Sequence, residues 1–376
     1  MQQISETDRF NVLYRIEASD RKTAQELARD ITIEQTVEIP FDCIPQEHFN
    51  KGIIGHIETL ENPDDGLYDV TISFRSDITA FQLTQFLNVL YGNISLKSGI
   101  KVLDISFPHS FYSHFRGPSH GIDGLREILG VYNRPLACTA LKPMGLSVTE
   151  LALMAHEFAS GGIDLIKDDH GITDQQFHCF EERVSICAAA VEKANLASGG
   201  NTLYFPCVSG TFDLVENQVR FALSRGLKGI LIAPFLSGLD TMRYLSEKYG
   251  IMIMAHPALA GAFFTGANHG IAINVLLGKI FRLAGADISI FPNWGGRFPF
   301  SKQECLSLAS SLREEIGWKR SFPCPAGGMN LQRLGEMISE YGNDSVLLLG
   351  GALLQDKRGI RENSREFMSR VKAHST

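Results

Sequence analysis

From residue 135 onward, short apolar runs rich in β-branched residues alternate with longer stretches of helical spacing. The runs are PLACTALKP (135–143), DLIKDDH (164–170), LYFPCVSG (203–210), GILIAPFL (229–236), IMIMAHPAL (251–259), ISIFPNWGG (288–296), SFPCPAGG (321–328) and SVLLLGGAL (345–353). Between the first two, LSVTELALMAHEFASGG (146–162) puts Leu151, Met154, Ala155 and Phe158 on one helical face and stops at two glycines. Strand–helix alternation repeated eight times predicts an α/β fold, a parallel (β/α)8 TIM barrel. The N-terminal part has another rhythm. RFNVLYRIEA (9–18), IGHIETLE (54–61) and LYDVTISFRS (67–76) read as strands of an antiparallel sheet, with helices near 21–30 and 79–90. That is an α+β module of ferredoxin-like type. The Gly/Pro-rich RGPSHGIDG (116–124) marks the junction, so we expect domains 1–125 and 126–376.

Seven of the eight runs end on polar or glycine clusters, and the C-terminal strand ends of such barrels carry the catalytic residues. In GGIDLIKDDHGITD (161–174), strand alternation puts Lys167 and Asp169 on one face and Asp168 on the other. Lys167 and Asp169 form either an ion pair or part of a hard-cation site. An ammonium cannot ligate a metal, whereas a carbamylated lysine can. Gly295, Gly296 and Arg297, then Ala326, Gly327 and Gly328, then Gly350 and Gly351 follow the last three strands. Backbone amides there suit a phosphate, with Arg297 adding a charge-assisted contact. Lys142 ends the first strand, as a surface lysine or as a proton carrier whose pKa is lowered by a nearby metal. His256 ends the fifth, as a core residue or a catalytic one.

Composition narrows the field. A net charge of −7 without a lysine/arginine run disfavours nucleic acid. No apolar run reaches the roughly 18 residues of a membrane span. The seven cysteines form no CxxC pair and read as reduced thiols. MQQISETDRF at the N-terminus is polar and acidic, unlike a signal peptide, so a cytoplasmic protein is expected.

GGIDLIKDDH resembles the metal-binding strand of the RuBisCO large chain, whose GG-x-D-x-x-KDDE pattern holds a carbamylated lysine. TALKPMGLS (139–147) is similar to that family's first barrel strand, whose first lysine handles protons. YGNISL (91–96) resembles its N-terminal asparagine motif and RGPSHGI (116–122) its domain junction. MAHPAL, PAGG and LGGAL resemble its later histidine and phosphate segments. The resemblance runs through nearly the whole chain in order. It implies Mg2+ held by Lys167 (as N6-carboxylysine), Asp169 and His170, with Lys142, Lys167 and His256 as catalytic residues. It also implies a homodimer in which Glu34 and the substrate-binding Asn93 reach the partner's active site. The departures matter as much. His170 stands for the family's glutamate ligand, Met144 for the second lysine of the first strand, and Pro257 for the arginine after the histidine. NWGGRFPF (293–300) replaces the long mobile loop, and Ala326 replaces a serine. The chain thus resembles a RuBisCO-like protein of the form IV kind, no carboxylase, acting on a sugar monophosphate.

The family's enediolate chemistry can be entered by proton removal or by loss of CO2. The lysines that would remove a proton are replaced by Asn93 and Met144. The first expectation is therefore a decarboxylase of a 3-keto sugar-acid phosphate of the 3-oxo-isoapionate 4-phosphate type, with Lys142 as the acid. The alternative is an isomerase or enolase acting on 5-methylthioribulose 1-phosphate or its diketo derivative. His170, His256 or Cys324 would then be the base, and Met144 or Trp294 would line a methylthio pocket. A third reading, a catalytically inactive sugar-phosphate binding protein, rests on His170, because imidazole binds Mg2+ poorly.

Overall fold

A computed structural model describes residues 8–355 and 357–373; the first seven residues of the polar N-terminal stretch lie outside them. The chain divides into two compact units. The first holds the described residues up to Arg116 together with Ala260–Ile280, and the second holds Gly117–Leu259 with the described residues from Phe281 on. The sequence suggested a single cut after residue 125. The division falls earlier because the helix Gly121–Leu129 buries Ile122, Leu125 and Leu129 in the core of the second unit.

In the first unit, β1 (Arg9–Glu17), β2 (His56–Asp64), β3 (Leu67–Arg75) and β4 (Ile100–Ser106) form an antiparallel sheet in the order β4-β1-β3-β2. Helices Arg21–Glu34 and Leu83–Tyr91 complete a βαββαβ ferredoxin-like arrangement. Period-2 burial in β1 drives Phe10, Val12, Tyr14 and Ile16 inward. Asp20 caps the first helix by accepting from the Thr23 amide at 2.8 Å. A two-residue strand, β11 (Gly270–Ile271), pairs in parallel with β4.

The second unit is the barrel. Its strands are β5 (Leu136–Leu141), β6 (Leu165–Asp168), β7 (Leu203–Phe205), β8 (Cys207–Val208), β9 (Gly229–Ile232) and β10 (Met252–Ala255). After them come β12 (Ile288–Pro292), β13 (Phe322–Ala326) and β14 (Val346–Leu348). They pair in parallel as β14-β5-β6-β7 and β8-β9-β10-β12-β13, and β13 lies beside β14 to close the ring. β7 and β8 are halves of one strand broken at Pro206, which has no amide to give the ladder. Its carbonyl still accepts from the Leu231 amide at 2.9 Å. The eight strands foreseen are thus all present.

Buried carboxylates pin the N-terminal ends of the strands. Asp164 accepts from Arg134 at 2.6 and 2.8 Å and from the Ala137 amide at 2.8 Å. Asp287 accepts from the amides of His120, Gly121 and Ile253. This end is scaffold, which leaves the opposite end for chemistry. Ser147 and Glu150 form a capping box that starts the helix Val148–Ser160, and its Leu151, Met154, Ala155 and Phe158 are buried. No helix among the described residues is long and apolar enough to cross a membrane.

Candidate active site

A cavity of about 500 Å³ opens among the C-terminal ends of six of the barrel strands and the loops that follow them. That volume suits a small phosphorylated metabolite. β5 and the residues after it supply Ala140 and Lys142, β6 and its loop supply Lys167, Asp169 and His170, and the end of β10 supplies His256. Ile290 and Arg297 come from β12 and its loop. Ala326, Gly327, Gly328, Met329 and Asn330 follow β13; Leu348, Gly350, Gly351 and Gln355 follow β14.

Asp169 is the hub. Its Oδ1 lies 3.5 Å from Lys142 Nζ, 3.9 Å from Lys167 Nζ and 3.7 Å from His170 Nδ1. Burial opposes its ionisation most strongly. The bond from His170 and the charges of Lys167 and Lys142 outweigh burial and hold the carboxyl well below the ordinary range. Lys167 is buried, and its ammonium also donates to the Asp168 carbonyl at 3.0 Å.

Asp168 faces away from the cavity, as strand alternation requires. It is fully buried and accepts from Arg183 Nε at 3.1 Å, from the Tyr204 hydroxyl at 2.7 Å and from the Cys207 amide at 3.0 Å. Arg183 also donates to the carbonyls of Thr173 and His178. One guanidinium thus ties the strand that carries Lys167 to the loop that follows it. Neither Arg183 nor Tyr204 was anticipated: each lies in an ordinary amphipathic context, and only the fold brings them to Asp168.

His256 stacks on His170, with ring centroids 4.1 Å apart and planes at 16°. Burial, then the charge of Lys167 and of His170, pushes its imidazole down to about 2. It is therefore neutral. Its Nδ1 accepts from the Ala258 amide at 3.1 Å, which leaves the proton on Nε2. It is a hydrogen-bond donor rather than a base.

Three sets of expected residues are not among those that line the cavity. Gly295 and Gly296 lie off the cavity wall. A Cβ on Gly296 would overlap the Gly327 carbonyl oxygen, and one on Gly328 would lie 2.6 Å from the Gly296 Cα. The two loops cross backbone to backbone there, so Gly296 is needed for close approach. Cys324 is in the barrel core with its thiol pushed well up by burial, and it cannot act as a base. Met144 and Trp294 are off the wall as well; the indole packs on Tyr341. The apolar part of the wall is instead Ala140, Ile290, Leu348 and Met329. Among the described residues, the amides of Gly327, Gly328, Gly350 and Gly351 donate to no backbone carbonyl, so they are available to an anion. Asn93 belongs to the first unit, where its amide donates to Glu34 at 3.0 Å.

The barrel geometry and this cluster have counterparts. The family model described as the ribulose bisphosphate carboxylase large chain, catalytic domain, matches residues 121–291. The chain is 39% identical to the 5-methylthioribulose-1-phosphate isomerase of Rhodospirillum rubrum, covering 97% of this chain and 96% of that one. It is 31% identical to the 2,3-diketo-5-methylthiopentyl-1-phosphate enolase of Bacillus thuringiensis, covering 94% and 88%. The crystal structure of a Rubisco-like protein from Rhodopseudomonas palustris superposes with a TM-score of 0.89 at 38% identity, covering 98% and 99%. The chain belongs to the RuBisCO large-chain family, in its RuBisCO-like branch.

Proposed function

We propose that this chain isomerises 5-methylthioribulose 1-phosphate through an enediolate. The observation that carries the reading is the gathering of Lys142, Lys167 and His170 around Asp169, in a cavity whose wall also bears Arg297 and glycine amides that, among the described residues, donate to no backbone carbonyl. The activity named for the relative with 39% identity agrees with it. Arg297 and the four glycine amides bind the phosphate. Ala140, Ile290, Leu348 and Met329 take the methylthio end. Lys142 takes the proton from the hydroxyl-bearing carbon beside the carbonyl, leaving the enediolate, and returns it to the former carbonyl carbon. Neutral His256 donates its Nε2 proton to the substrate oxygen on which negative charge develops. Asp169, His170 and a carbamylated Lys167 would hold a divalent cation, which would supply positive charge to stabilise the enediolate. A second copy of the chain brings Glu34 and Asn93.

Decarboxylation of a 3-oxo-isoapionate 4-phosphate type acid has no counterpart in the names of these relatives, and it gives way to isomerisation. The test is phosphorus NMR of the purified protein with each compound. The isomerase reading expects a new phosphate monoester from 5-methylthioribulose 1-phosphate and no CO2 from the keto acid. CO2 release from the keto acid alone restores the decarboxylase, and a tightly bound but unchanged sugar phosphate makes the chain a binding protein.

A further inference from the structure

We propose that the ion taken by this site is a first-row transition metal of the Fe2+ to Zn2+ range rather than Mg2+, and that His170 sets the choice. The inference rests on the reading above that the cavity holds a divalent ion. Among the described residues, no three His, Cys, Asp or Glu side chains converge as a ready-made metal site. Asp169 and His170 offer two donors, and the carbamylated Lys167 that the family resemblance implies would be the third. Its neutral Nζ adds to the carbon of CO2; an N–C bond forms, one N–H proton leaves to solvent, and a carbamate anion remains. Lys167 Nζ and His170 Nδ1 lie 3.9 and 3.7 Å from the same Asp169 oxygen, so the carbamate, the carboxylate and the imidazole converge.

That set is two anionic oxygens and one nitrogen. A third carboxylate would complete an all-oxygen set, which suits Mg2+. Imidazole is a softer donor that favours Fe, Ni, Cu and Zn ions over Mg2+. Two anions also balance the charge of a divalent ion without a third. Stacking on His256 fixes the His170 ring. His256 does not add a second nitrogen: its Nδ1 is taken by the Ala258 amide, and its near-parallel ring lies in a separate plane.

The test uses full-length protein stripped with a chelator, kept in 13C-bicarbonate and titrated without substrate. Co2+ and Mg2+ affinities are measured by calorimetry, the Co2+ visible spectrum is recorded, and 13C NMR reads the carbamate. Most sites favour Co2+, so the deciding quantity is the change in the Co2+/Mg2+ affinity ratio on substitution. His170→Glu is expected to lower that ratio at least about tenfold and to alter the Co2+ bands. Lys167→Met is expected to abolish the carbamate signal and ion binding together. His170 is nearly half exposed, so its substitution leaves the fold intact, which circular dichroism verifies. A ratio unchanged in His170→Glu, or wild-type protein that binds neither ion, overturns the proposal. Protein that shows the ratio change yet does not convert 5-methylthioribulose 1-phosphate upholds the metal inference and removes the isomerase reading.

Discussion

Asp168 and Asp169 are adjacent in sequence and opposite in role, because a strand sends alternate side chains to opposite faces. Asp169 gathers the cations of the cavity, and Asp168 holds a fully buried guanidinium. Two predictions belong at this scale. Lys142→Met removes the proposed proton carrier and leaves the barrel intact, so kcat should fall by roughly 10²–10⁴ while circular dichroism and phosphate affinity stay close to wild type. Arg183→Met leaves Asp168 charged and buried without its ion partner. Urea unfolding should show a loss of about 3–5 kcal/mol, and adding Asp168→Asn should recover part of it. If Arg183→Met unfolds like wild type, the buried pair does not hold the loop.

At the scale of elements, the loops after β12 and β13 approach through Gly296 and Gly328. Gly296→Ala forces them apart at a cost of about 1–3 kcal/mol. Steady-state kinetics should show it mainly as a raised KM, because Gly327 and Gly328 lie on the cavity wall. A second element-level prediction concerns pH. Glu216, on the helix Phe212–Ser224, accepts from Lys248 and the hydroxyls of Tyr244 and Tyr249, all on or next to the helix Leu239–Tyr249. The Lys248 bond, then those of Tyr249 and Tyr244, lowers its carboxyl to about 2. The folded-state value is below the unfolded one, so its contribution is present above the ordinary glutamate range and is lost as pH falls toward 2. Glu216→Gln should flatten the acid limb of a stability–pH curve.

The barrel strands were legible because strands buried on both faces read as unbroken apolar runs, and their ends announce themselves with Lys, Asp, His and Gly. β4 was not read, since IKVLDIS mixes two charges into a seven-residue strand. Side-chain direction was legible only inside a strand. Lys167, Asp168 and Asp169 followed the alternation, but Trp294 and Gly295 lie beyond β12, where the period no longer applies. The same limit explains why Met329, Asn330 and Gln355 on the wall went unread.

At the scale of the molecule, the first unit carries the hydrogen-bonded pair Glu34–Asn93 and the second carries Lys142. If one copy serves the other, Asn93→Ala and Lys142→Met chains, each inactive alone, should regain activity when mixed. Each heterodimer then has one intact site, so about half of wild-type activity per dimer is expected. The central claim is that a proton moves between neighbouring carbons through an enediolate that Lys142 serves. The measurement that meets it most directly is proton and carbon NMR of 5-methylthioribulose 1-phosphate turned over in D2O. The account predicts an isomeric sugar phosphate with solvent deuterium at the new carbon–hydrogen bond, and neither product nor label with Lys142→Met. Unlabelled substrate recovered intact, or label and product undiminished in Lys142→Met, would contradict it.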